Sequence, residues 1–205
     1  GDALTDADYN VAVGKEALTT DTLGSRSTAV GWASLRSQNF TSATNSYNTA
    51  VGFQSGTNLT TGTDNVLIGG LTGDALTTSS RNTAIGRGAL SAETTGQRTV
   101  AVGAFTLSSQ NITDGSENYN VAVGYGAGSN VTTGAQNTLI GGNAGDSLTD
   151  ADFNVAVGYN TLGTDTLGSR SVAIGYEALK TQNFTSATES YNTAVGFHAG
   201  NDVTT

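Results

Sequence analysis

Apolar and polar positions follow one five-residue phrase along the whole chain. It opens as Asn10-Val11-Ala12-Val13-Gly14 and closes on Gly14, Gly31, Gly52, Gly69, Gly86, Gly103, Gly124, Gly141, Gly158, Gly175 and Gly196, eleven copies in all. Position two is Val or Thr and position four is Val or Ile, β-branched residues that favour strands. Position three is Ala in nine copies and Leu at Leu67 and Leu139. Side chains two apart share a strand face, so the phrase predicts a short strand apolar on both faces, unlike a half-wet strand with polar alternation. One face is expected to line an interior. The other, with Ala12, Ala29, Ala50, Ala84, Ala101, Ala122, Ala156, Ala173 and Ala194, is expected to lie against another chain.

Spacing turns the strand into an architecture. Successive closing glycines are 17, 21, 17, 17, 17, 21, 17, 17, 17 and 21 residues apart. Three 17s and one 21 make a super-repeat of 72, so residues 1–72, 73–144 and 145–205 are successive blocks of one repeat domain. A strand phrase repeated at fixed period predicts an all-β fold, a parallel β-roll or β-solenoid of about eleven coils. Each coil has room for two short strands and two turns. The closing Gly marks positive φ or close backbone approach. The opening residue is Asn in eight copies, Ser at Ser27 and Ser171 and Thr at Thr99, and is expected to form a side-chain ladder.

Beyond the Gly, the coils divide. Six carry a Leu four residues on (Leu18, Leu35, Leu90, Leu107, Leu162, Leu179). Five have Gly56, Gly73, Gly128, Gly145 or Gly200 there and an apolar residue three positions later (Leu59, Leu76, Val131, Leu148, Val203). This predicts one inward slot filled from two backbone routes.

Composition narrows function by exclusion. The net charge is −9, with 8 Lys and Arg against 17 Asp and Glu, which argues against nucleic acid and against an anionic membrane surface. No segment is long and apolar enough for membrane insertion. No cysteine occurs, which removes disulfides, thiolate metal sites and a cysteine nucleophile. No methionine occurs and Gly1 begins in mid-pattern, so the chain reads as a piece of a longer fibre.

Catalytic chemistry finds little support. The one histidine, His198, has no serine–base constellation around it in sequence. Asp6 with Asp8 and Asp150 with Asp152 are the tight carboxylate pairs, and both sit in turns where Asp bonds backbone. No enzyme, cofactor or metal site is expected. Arg26, Arg98 and Arg170 recur 72 apart, each five residues after Asp21, Glu93 or Asp165, and predict intra-loop ion pairs. Thr20-Asp21-Thr22 and Thr164-Asp165-Thr166 do not recur in every coil, which disfavours an ice-binding array.

Candidate ligand contacts lie in the 21-residue coils, whose extra residues fall within 36–47, 108–119 and 180–191. Phe40, Ile112 and Phe184 share one phase there, and Tyr47, Tyr119 and Tyr191 another. Loops on a rigid scaffold commonly carry binding.

The phrases Asn82-Thr83-Ala84-Ile85-Gly86 and Ser171-Val172-Ala173-Ile174-Gly175, followed by Ala-Leu, resemble the head repeats of YadA-like trimeric autotransporter adhesins. Similar repeats occur in bacteriophage tail fibres. The resemblance covers the whole chain, although the coils are longer than the family's. It implies a left-handed roll, a homotrimer and an extracellular location on a bacterial surface or virion. The function expected is a structural and adhesive fibre segment that displays weak binding loops to a host-surface protein, matrix protein or glycan. The alternative is a subunit of a head-to-tail extracellular filament.

Overall fold

The computed structural model describes residues 1–205. It is all-β, a parallel solenoid of eleven coils with one three-residue strand each. The strands are Val11–Val13, Thr28–Val30, Thr49–Val51, Val66–Ile68, Thr83–Ile85, Val100–Val102, Val121–Val123, Thr138–Ile140, Val155–Val157, Val172–Ile174 and Thr193–Val195. They form one parallel sheet in chain order, and like positions stack in register: Val11 pairs Thr28, Ala12 pairs Ala29 and Val13 pairs Val30.

The second strand expected in every coil forms only where a long coil meets the 17-residue coil before it. Gly24–Ser25 pairs with Thr44–Asn45, Gly168–Ser169 with Thr188–Glu189, and a lone bridge joins Gln97 to Glu117 in the middle block. Elsewhere the return path is turns. Those turns still stack, because 89 of the 111 backbone hydrogen bonds lie outside the strands, many running coil to coil as from Leu18 N to Ser34 O.

The interior corrects the orientation expected for the strand. Ala29, Ala50, Ala84, Ala101, Ala122, Ala156 and Ala173, with Leu67 and Leu139, are wholly buried within their own chain. Ala194 packs partly against the same core, and Ala12 is exposed at the open end of the stack. The alanine side is therefore the core, and position-two and position-four side chains point outward, half-buried or exposed. Size explains the choice. The interior is a single layer in which the alanines pack with the leucines, and with Val131, of the return path. Two β-branched residues per coil directed inward would overfill it.

The two kinds of coil share one backbone route. The fourth residue after the closing Gly is left-handed in all eleven, whether Leu18 at φ 50° or Gly56 at φ 59°. Only the supplier of the buried side chain changes. A Cβ on Gly56 or Gly73 would collide with Leu67, and one on Gly128 or Gly145 with Leu139. The two leucines at position three, Leu67 and Leu139, both fall in coils whose slot residue is Gly, while the other three such coils keep Ala50, Ala122 and Ala194.

Position-one residues form the expected ladder. Asn65 N donates to Asn48 Oδ1 (3.0 Å) and Asn82 N to Asn65 Oδ1 (3.1 Å), while Asn65 Nδ2 donates to Ser79 O (2.9 Å). The second run joins Asn120, Asn137 and Asn154 in the same way.

Candidate functional site

Where the ladder changes from Asn to Ser or Thr, a buried clamp takes its place. Gln38 reaches inward from the first long coil. Its Nε2 donates to Asp21 Oδ2 (2.5 Å) and Ser27 Oγ (2.9 Å), and its Oε1 accepts from Asn48 Nδ2 (2.9 Å). Asp21 Oδ1 also accepts from Gly24 N (3.0 Å) and Phe40 N (3.1 Å). Glu93 with Gln110, and Asp165 with Gln182, repeat the arrangement. A short Ser or Thr at position one leaves room for the glutamine, which Asn would occupy.

Asp21, Glu93 and Asp165 are therefore not the partners of Arg26, Arg98 and Arg170. The carboxylates are buried at the clamps, while the arginines lie on the surface. Arg26 Nε donates to Asn45 Oδ1 (3.0 Å), Arg98 Nε meets Glu117 (2.6 Å) and Arg170 Nε meets Glu189 (3.0 Å).

The ligand candidates separate likewise. Phe40 and Ile112 are only 6% and 8% exposed and Phe184 is half-buried. All three donate their backbone N–H to the clamp carboxylate, so they plug the coil. Tyr47, Tyr119 and Tyr191 are open to solvent, at 53%, 47% and 65%. Each tyrosine neighbours an arginine: the Arg26 guanidinium lies 4.8 Å from the Tyr9 ring and 5.9 Å from Tyr47, and that of Arg98 lies 5.7 Å from Tyr119. The Arg170 guanidinium lies 4.5 Å from Phe153 and 5.9 Å from Tyr191. Such contacts hold the arginine by cation–π attraction. In the middle block Arg81 stands where the other two have Tyr9 and Phe153.

Backbone geometry gathers these residues. The residue before position one is left-handed in every coil, including Tyr9, Arg26, Tyr47, Phe153, Arg170 and Tyr191. Stacking coils bring them into one column. The Tyr191 hydroxyl bonds Glu189 Oε2 (2.5 Å), and Tyr119 bonds Glu117. These bonds, with Arg170 and Arg98 adding, hold the two carboxyls below the usual range; the same bonds push the two phenols up, against the pull of the arginines. The Arg column was legible as a 72-residue spacing, but its aromatic partners come from neighbouring coils and required the stacking.

A second column follows the closing Gly. Trp32 stacks on Phe53 (5.0 Å), Tyr159 on Tyr176 (5.5 Å), Tyr176 on Phe197 (5.4 Å), and Phe197 on His198 (4.1 Å). His198 Nε2 also lies 3.3 Å from Glu177. Of the paired aspartates, Asp150 accepts from Thr133 Oγ1 (2.5 Å) and Asp152 from Ala135 N (2.7 Å). No group of three or more His, Asp or Glu side chains is placed to hold a metal ion, and no helix is long and apolar enough to cross a membrane.

In comparisons with known proteins, no family model, no curated protein and no solved structure matches this chain.

Proposed function

We propose that the chain is a structural and adhesive segment of an extracellular homotrimeric fibre, of the kind formed by trimeric adhesin heads or phage tail fibres. The observation that carries this reading is the outward face of the long sheet. Two side chains per strand over eleven strands are Val, Ile or Thr, without a charged residue. Ile68, Ile140, Ile174 and Val195 are among those left exposed. Eleven strands about 4.8 Å apart and three residues long give a face of roughly 50 by 10 Å, or about 500 Å². That is the upper end of the apolar patches monomers tolerate.

A sister chain presents the same face with the same repeat, so laid side by side the two match coil for coil. The outward β-branched face thus takes the lateral packing role first given to the alanines. The threefold stoichiometry comes from the YadA-like resemblance. Function then follows from multivalency: a stiff rod holds weak sites at fixed spacing, and several engaged together bind where one would not.

Sedimentation equilibrium tests the reading. The parent chain is expected as a trimer at micromolar concentration. Val123→Lys combined with Ile140→Lys, in the middle of the face, is expected to give monomers with an unchanged β spectrum. A parent chain that is monomeric at that concentration overturns it.

A further inference from the structure

We propose that the notch between Phe153, Arg170 and Glu189 binds a neutral hexopyranose. The notch is a shallow cavity of about 170 Å³, lined by Asp152, Phe153, Ser169, Arg170, Thr188 and Glu189, among others. That volume suits a single sugar ring. Its groups are set in advance. Phe153 and Arg170 are held in left-handed backbone at φ 61° and 66°. The guanidinium is fixed over the Phe153 ring and through Nε to Glu189. Its two terminal nitrogens make no hydrogen bond within the chain; Glu189 is engaged by Arg170 Nε and the Tyr191 hydroxyl, while Asp152, which also lines the notch, accepts from Ala135 N at Oδ1 and keeps Oδ2 as an acceptor.

The chemistry of the lining selects the ligand. Two carboxylates in a chain of net charge −9 disfavour an anion. Arg170 at the centre disfavours a cation. Five polar or charged residues among the seven that line it disfavour a purely apolar molecule. A neutral ring with hydroxyls on its rim and C–H bonds on its face suits these groups: hydroxyls accept from the terminal guanidinium nitrogens and donate to Asp152 Oδ2, and C–H bonds lie against the part of Phe153 that the guanidinium leaves open. Convergent polar groups beside an aromatic wall are the usual make-up of a small-molecule site.

The site deepens the adhesive reading, yet a single-site measurement stands apart from oligomeric state. Saturation-transfer NMR with methyl glucoside, methyl galactoside and methyl mannoside is the test, run on the parent, F153A, R170A and a Y176A control on the other column. Circular dichroism checks that each variant retains the parent's fold. Saturable binding of at least one neutral glycoside is expected, weakened at least tenfold in F153A and R170A and unchanged in Y176A. R170K keeps the charge without the planar fork and is expected to bind as weakly as R170A. Absence of saturable binding to all three sugars, equal binding by the parent, F153A and R170A, or tighter binding of glucuronate than of the neutral sugars would overturn the proposal. A trimeric chain that binds no sugar would leave the fibre reading intact, and a monomer that binds sugar would leave the notch intact.

Discussion

At the scale of single residues, backbone conformation decides more than side-chain contact. The closing glycines sit between φ 125° and 140°, and all but the last carry their missing Cβ against the carbonyl of the next glycine down the stack. A side chain there meets both steric penalties at once. Gly86→Ala is therefore expected to lower stability by about 3 kcal/mol, whereas Gly70→Ala, with open space at its Cβ, is expected to change the melting temperature little. Paired thermal melts check the contrast. Charge adds a second test. The Glu189 carboxyl is held low by the Tyr191 hydroxyl first and Arg170 next. A carboxyl depressed on folding stabilises the fold above its ordinary value of 4.5, and that contribution disappears as pH falls through the folded value. NMR titration of the Glu189 carboxyl is expected to give a midpoint below 4.5, moved upward in Tyr191→Phe. A midpoint at 4.5 or higher contradicts the bond's role.

At the scale of the element, the coil is the unit, and the long coil is the one with an internal polar demand. Gln110 donates to Glu93 and Thr99 and accepts from Asn120, all buried. Removing one partner of a buried charge leaves the other without compensation. Gln110→Ala is expected to lower stability by about 3 kcal/mol, with hydrogen exchange fastest in residues 93–120. An effect spread evenly along the chain would argue against a local clamp. Much of this element was readable beforehand. The 17 and 21 spacing fixed the number of coils, and the recurring Asn predicted its ladder. The direction of the strand was not readable, because Val-Ala-Val is apolar on both sides and only the volume of a one-layer interior places Ala inside. The clamp was hidden for a related reason. Asp21 and Gln38 are 17 residues apart in sequence, and only the stacking of coils brings them together. Its visible traces were the exchange of Asn for Ser27, Thr99 and Ser171 and the 72-residue recurrence of Asp21, Glu93 and Asp165 and of Gln38, Gln110 and Gln182, none of which says that these groups meet.

At the scale of the whole molecule, the structure is a stack in which each coil touches only its neighbours. Stability in such a stack is a sum of coil and junction contributions. Residues 73–144 form one full block, and removing them joins Thr72 to Gly145 without disturbing the 17-residue step. The shortened chain is expected to fold with the same spectrum per residue. Small-angle scattering is expected to show it shorter by four coils, or about 19 Å. An unfolded or aggregated product would mean that coupling extends beyond neighbours.

The single-layer interior has a consequence for how such a molecule changes over generations. With no second layer to refit, unequal recombination in steps of one block alters length while leaving every surviving contact as it was. The protein is in that sense a ruler, graduated every 72 residues, and reach is the property a genome can adjust without redesigning anything else.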